Sequence, residues 1–349
     1  MRADELDGVV KRVIRYTITH PYERDCWEKA PAITGVLASE DSDSIAAVGR
    51  WIDRAVDTQT SEGHLSYSDR LELSVGHVAT FTPTAPLSSS LGYPLLAFYE
   101  RTKEPRYLTA AQRQADALLR TPRTSDGGFW ARKEGPELWI DFIYMMCPFL
   151  ARLGRITGSA KYIDEAFTQF EVHVKHLVDP YKHLARHAWR EVPDSYPQST
   201  LWARGNGWLI ATVVDLLDLV PEHTRAKAAS EVGQRALAAM RSRQDSSGYL
   251  RHILDDPDSK VEASASLMYA YAVGRGVRQK VVDADYIPSA LRAFEVVAGS
   301  VDEDGAVPGV AVPPGGPGVP FGTTLFGQGF FLQAAAVLRE HLVAAPQRR

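Results

Sequence analysis

The sequence predicts an all-α fold, an (α/α)6 barrel of six helical hairpins, and three observations carry that expectation. Apolar residues recur at helical spacing through most of the 349 residues, while candidate strands are few and short. One passage occurs twice: Pro94-Leu95-Leu96-Ala97-Phe98-Tyr99-Glu100-Arg101-Thr102 followed by Tyr107 resembles Pro148-Phe149-Leu150-Ala151-Arg152-Leu153-Gly154-Arg155-Ile156-Thr157 followed by Tyr162. Each copy reads as a helix, a short turn and a second helix. The two ends of the chain also complement each other, because the apolar, glycine-containing helix around Phe326-Gly327-Gln328-Gly329-Phe330 needs a partner that an N-terminal helix can provide.

Taken in order, the hairpins are residues 27–37 with 42–57, the two repeated passages, 207–219 with 222–241, 264–274 with 286–298, and 325–343 completed by the N-terminal helix over 5–16. That makes roughly six units with a period of about 55–60 residues, stacked supersecondary units in the sense of a repeat protein. An open solenoid would show polar capping repeats at its ends. The apolar last helix argues for a closed ring of six inner and six outer helices. The run Pro313-Pro314-Gly315-Gly316-Pro317-Gly318 reads as one long surface loop between the fifth and sixth hairpins. No linker of disordered composition interrupts the chain, so residues 1–349 are expected to form one domain.

Composition narrows the partner. A formal net charge of -4 with scattered Lys and Arg gives no basic footprint for nucleic acid or an anionic membrane surface. A small molecule is the expected ligand. The start Met1-Arg2-Ala3-Asp4-Glu5-Leu6-Asp7 is charged where a signal peptide needs an apolar core, and no apolar run would span a bilayer, so a cytoplasmic location is expected. Cys26 and Cys147, the two cysteines, are expected to be reduced and buried. No phosphate loop, dinucleotide fingerprint, HExxH or paired CxxC motif is visible, and no cofactor or metal is expected.

Loops before inner helices converge at one end of such a ring, and unusual residues concentrate there. The passage Leu201-Trp202-Ala203-Arg204-Gly205-Asn206-Gly207-Trp208 suits a planar, anionic, hydroxyl-rich ligand. Trp130, Trp139, Trp189, Trp202 and Trp208 are candidate stacking surfaces for a sugar ring, with core packing as the alternative for any one of them. Arg204 could grip a carboxylate with two parallel hydrogen bonds, or serve as the buried partner of Asp141 or Glu191. Gly205 and Gly207 would let backbone approach a ligand or a neighbouring helix. Asn206 joins the candidate binding set. Asp141, in Trp139-Ile140-Asp141-Phe142-Ile143-Tyr144, is a carboxylate at the mouth of an apolar helix; it could cap the helix, act as a general acid/base, or both. His187, in His187-Ala188-Trp189-Arg190-Glu191, is a candidate contact. Glu262 is placed to be favoured by a helix dipole.

These residues together resemble the unsaturated glucuronyl and rhamnogalacturonyl hydrolases of glycoside hydrolase families 105 and 88. The similarity runs over Gly127-Gly128-Phe129-Trp130, Trp139-Ile140-Asp141, Cys147-Pro148-Phe149-Leu150-Ala151, His187-Ala188-Trp189, residues 202–208, Glu262-Ala263-Ser264-Ala265-Ser266 and Phe326-Gly327-Gln328-Gly329. It implies an (α/α)6 barrel that removes a 4,5-unsaturated uronic acid from the non-reducing end of a lyase-generated oligosaccharide by hydrating a vinyl ether. Asp141 then matches the acid/base, and His187, Trp202, Arg204 and a position around Arg132 match substrate contacts. Where that family carries an aspartate, in a pattern like LDxxNPG, this chain has Pro86-Leu87-Ser88-Ser89-Ser90-Leu91-Gly92. Arg132 stands where the family has a histidine, and Arg190 where it has an acid. Two other readings follow from these departures: another proton transfer on the same barrel, of isomerase or cyclase type, and a non-catalytic sugar-binding protein.

Overall fold

A computed structural model describes residues 3–20, 26–39, 41–65, 84–313, 315 and 317–344. Its helices are α1 (Ala3–Thr19), α2 (Cys26–Leu37), α3 (Ser42–Asp57), the short α4 (Ala85–Ser88), α5 (Gly92–Thr102), α6 (Pro105–Leu119), α7 (Asp141–Thr157), α8 (Ala160–Leu177), α9 (Ala203–Leu219), α10 (Ala226–Arg241), α11 (Ala263–Arg278), α12 (Ile287–Ala298) and α13 (Leu325–Ala344). A single turn of 3-10 helix, Ser89–Leu91, joins α4 to α5. The inner helices α2, α5, α7, α9, α11 and α13 each pack against the next, and α13 packs back on α2. The ring is therefore closed. The outer helix α1 lies on α13, so the N-terminal helix completes the sixth hairpin as the sequence predicts.

Burial follows position in the ring. The inner helix α9 is buried along nearly its whole length, whereas the outer helices α3, α6 and α10 bury one stripe and expose the other. Cys147 is a free thiol inside the core, where burial pushes its pKa up; the Cys26 side chain lies outside the described residues.

Closure depends on small residues. At Gly329 of α13 an added Cβ would lie 2.3 Å from the carbonyl carbon and oxygen of Pro31 in α2, and at Gly35 of α2 it would lie 2.5 Å from the Gly329 oxygen. Two backbones touch here, so no side chain can rotate out of the way. Gly329→Ala should cost about 1–3 kcal/mol from overpacking, more than the ~1 kcal/mol that alanine returns in helix propensity. A lowered urea midpoint with an unchanged slope would report it, and an unchanged midpoint would show that the ring closes less tightly.

Four outer helices leave the ring through one recurring turn. Gly63, Gly127, Gly248 and Gly305 have φ of +101, +101, +99 and +100°. The amide of each donates to the carbonyl three residues earlier, on Thr60, Thr124, Asp245 and Asp302. Only glycine adopts such a φ without strain, and the turns throw four loops across the same end of the barrel. Short antiparallel strands line that end: β1 (Glu137–Trp139), β2 (Ala188–Arg190) and β3 (Ser195–Gln198) form one sheet, while β4 (Leu250–Arg251) pairs with β5 (Val261–Glu262) and β6 (Val310–Ala311) with β7 (Phe321–Gly322).

Candidate active site

The inner helices begin at this end, and their first residues supply the chemistry. Asp141 opens α7, Arg204 lies in the first turn of α9, Glu262 caps α11 and Glu28 lies in the first turn of α2. The carboxylates gain from the positive end of a helix dipole. Glu262 is the tightest cap: it accepts from the Ala265 amide at 2.7 Å, from the Ser264 hydroxyl at 2.8 Å and from the Ala311 amide at 2.9 Å.

Four residues form a chain of contacts. Oδ2 of Asp141 stands 3.2 Å from Nε2 of His187. The His187 ring lies 4.4 Å from that of Trp202 and meets Trp139 edge-on at 5.3 Å. The Arg204 guanidinium sits over Trp202 at 4.5 Å and over Phe326 at 4.8 Å. Among the described residues Asp141 Oδ2, His187 Nδ1, Trp202 Nε1 and Arg204 Nε are all buried without a hydrogen-bond partner. Buried polar atoms nearly always have partners. Four such atoms on one run of touching side chains single this cluster out as the candidate site.

Arg204 is only 2 % exposed. Its Nη1 donates to the Ala311 carbonyl and lies 3.7 Å from Glu262. Burial pulls its pKa down from the ordinary value, and Glu262, Asp141 and Glu28 push it back. Its buried partner is thus Glu262, while Glu191 accepts from Ser125 instead. Gly315 lies directly above: an added Cβ there would sit 2.4 Å from the Trp202 ring and 2.7 Å from Arg204 Nη2.

Other expected contacts fall elsewhere. Residues 203–206 belong to the first turn of α9 rather than to a loop, because Gly205 faces Ile140 and Trp202, Gly207 faces Met268, and helix α9 can start early against these neighbours. Asn206 is a strut: its Oδ1 accepts from the Ala185 amide at 2.7 Å, and its Nδ2 donates to the carbonyls of Ala185 and Trp202 at 3.0 Å. Gln169 and Gln328 clip the loops at Gly127–Phe129 and Gly305–Val307 in the same way. Trp208 is barrel core, packed among Trp27, Tyr144, Phe326 and Phe330. Trp189 pairs across the sheet with Leu138, one residue out of step with Trp139, so it faces the opposite side. There it stacks on His176 at 3.7 Å and donates to Asp194.

Glu137 escaped the sequence reading. This buried carboxylate accepts from Trp139 Nε1 at 3.0 Å and from two guanidinium nitrogens of Arg190, and lies 3.9 Å from Arg132. It fixes Trp139 against His187. Trp130 and Arg132 line a separate cavity of about 390 Å³ with His64, Thr84, Arg120 and Lys133. Ser88, Ser89 and Ser90 are buried and donate to backbone carbonyls of their own turn, with no carboxylate among them. No group of three His, Cys, Asp or Glu suited to a metal occurs among the described residues, and no described helix is long and apolar enough to cross a membrane.

The chain matches the model of Glycosyl Hydrolase Family 88 over residues 17–340. The chain belongs to glycosyl hydrolase family 88. It is 27 % identical over 316 residues to the unsaturated rhamnogalacturonyl hydrolase YesR of Bacillus subtilis, covering 87 % of this chain and 84 % of that protein. Over 181 residues it is 26 % identical to an unsaturated 3S-rhamnoglycuronyl hydrolase of Formosa agariphila, covering 48 % of each. Among solved structures, a possible glycoside hydrolase family 105 member from Salmonella enterica superposes with a TM-score of 0.85 at 22 % identity, covering 98 % of this chain and 95 % of that one. The unsaturated glucuronyl hydrolase of Bacillus sp. GL1 gives 0.72 at 16 % identity, covering 97 % and 95 %. The fold is that of these barrels, and family membership makes the chain a glycoside hydrolase.

Proposed function

We propose that this family 88 hydrolase removes a 4,5-unsaturated uronic acid from the non-reducing end of lyase-generated oligosaccharides. The observation that carries the reading is the pairing of Asp141 with His187 at the mouth of the ring, Oδ2 3.2 Å from Nε2. Asp141, protonated, gives its proton to C4 of the vinyl ether, and the oxocarbenium-like charge develops at C5. Water adds at C5 and returns a proton to the Asp141 carboxylate. The resulting hemiketal opens at the C5–O5 bond to a C5 ketone, and the hemiacetal left at C1 collapses to an aldehyde as its glycosidic bond breaks, releasing the neighbouring sugar with a free hydroxyl. One proton donor suffices for this route, so the paired carboxylates of ordinary glycosidases are not required. His187 orients Asp141, and Trp139 and Trp202 wall the sugar ring.

The test is loss of the conjugated-enoate absorbance when the protein meets a panel of lyase-made disaccharides. Turnover of at least one is expected, and inactivity on all of them would sink the reading. The serines at 88–90, where the family resemblance places an aspartate, favour as a second reading a proton transfer that leaves the glycosidic bond intact. An isomerised product with no released sugar would identify it.

A further inference from the structure

The cavity of about 390 Å³ is lined by residues from four separate segments: His64 after α3, Thr84 before α4, Arg120 after α6, and Trp130, Arg132 and Lys133 before α7. Outer helices end and inner helices start at the same end of the ring, so the cavity lies at the same end as Asp141. A line of contacts joins the two: Arg132 lies 3.9 Å from Glu137, Glu137 accepts from Trp139, Trp139 packs on His187, and His187 stands 3.2 Å from Asp141.

The lining carries three cations, Arg120, Arg132 and Lys133, against one carboxylate, Glu62, together with the aromatic ring of Trp130. Arg120 donates to the Glu62 carbonyl rather than to a carboxylate. Lys133 makes no ion pair among the described residues, and Arg132 is held by Glu134 at 3.3 Å and more loosely by Glu137. Trp130 presents a ring to the cavity wall, and its buried Nε1 finds no acceptor among the described residues. A flat ring for a sugar face, an N–H without an acceptor and three cations within one cavity suit a second anionic sugar.

We propose that this cavity is a subsite for an acidic group, sulfate or carboxylate, carried by the sugar next to the unsaturated uronyl residue. The proposal rests on the hydrolase reading above. Arg132 and Lys133 set the preference and Trp130 carries the ring.

Three lyase-made disaccharides test it, sharing the unsaturated residue and differing in a neutral, sulfated or carboxylated neighbour. The wild-type kcat/KM should favour an anionic neighbour by about tenfold, and Arg132→Met/Lys133→Met should bring that ratio towards one. Sulfate against carboxylate distinguishes the two sources of charge. Lys133→Met alone, at an exposed position, guards against misfolding of the double variant and should lower the same ratio. A wild-type ratio near one, or a ratio unchanged in the variants, overturns the proposal. If no disaccharide is hydrolysed, the hydrolase reading fails separately. Calorimetry with a saturated sulfated disaccharide then decides the subsite: binding weakened in Lys133→Met upholds it, and absent or unaltered binding overturns it.

Discussion

Asp141→Asn is expected to lower kcat/KM on a lyase-generated disaccharide by about 10²–10⁴-fold, the usual contribution of a positioned general acid. Asparagine keeps the shape of the side chain and can still sit at the start of α7, but it has no proton to give to C4. Stability should barely change. The side chain is 16 % exposed and its Oδ2 makes no hydrogen bond among the described residues, so the fold loses little beyond a favourable charge at a helix start. That charge is worth about 0.3–1 kcal/mol. Stopped absorbance assays at matched urea midpoints separate the two effects. Residual turnover close to wild type would remove Asp141 from the acid role and return attention to His187.

Much of the ring was legible because its signal is periodic. Apolar spacing placed α2, α5, α7, α11 and α13 within a few residues, and the repeated Pro-Phe-Leu-type passage exposed the hairpin as the unit. Boundaries slipped where glycine invites a loop reading. Residues 203–206 look like a ligand loop until Met268 and Ile140 are seen filling the space beside Gly207 and Gly205. The site was legible in part for a similar reason. Asp141, His187, Trp202 and Arg204 do meet, since residues just before or at the start of inner helices must converge. Asn206 and Trp189 misled, because residue type alone cannot tell an amide that clips a loop from one that faces a ligand, or one side of a three-residue strand from the other. Two signals went unread. Glu28 shares with Asp141 and Glu262 a position at a helix start, and Gly63, Gly127, Gly248 and Gly305 share a turn. Either would have marked the mouth of the ring without any tryptophan.

Arg204→Met should destabilise the fold by about 3–5 kcal/mol, the usual result of removing one partner of a buried ion pair. Methionine fills comparable space between Trp202 and Phe326, so the loss is mainly electrostatic. Glu262, 0 % exposed, would face the interior without its cation, and the Ala311 carbonyl would lose its donor. The three hydrogen bonds Glu262 retains from Ser264, Ala265 and Ala311 hold the cost towards the lower end of that range. Arg204→Met/Glu262→Gln should be more stable than the sum of the two single losses by about 1 kcal/mol or more, the coupling expected of side chains in one network. Urea unfolding of all four proteins measures it. Additive losses would mean that the guanidinium is held independently of Glu262. Arg204 would then be free to serve the carboxylate of a uronic acid, and its substitution should raise KM far more than it lowers stability. A coupled result makes Arg204 part of the frame that holds β6, with Nη1 committed to Ala311 and Glu262.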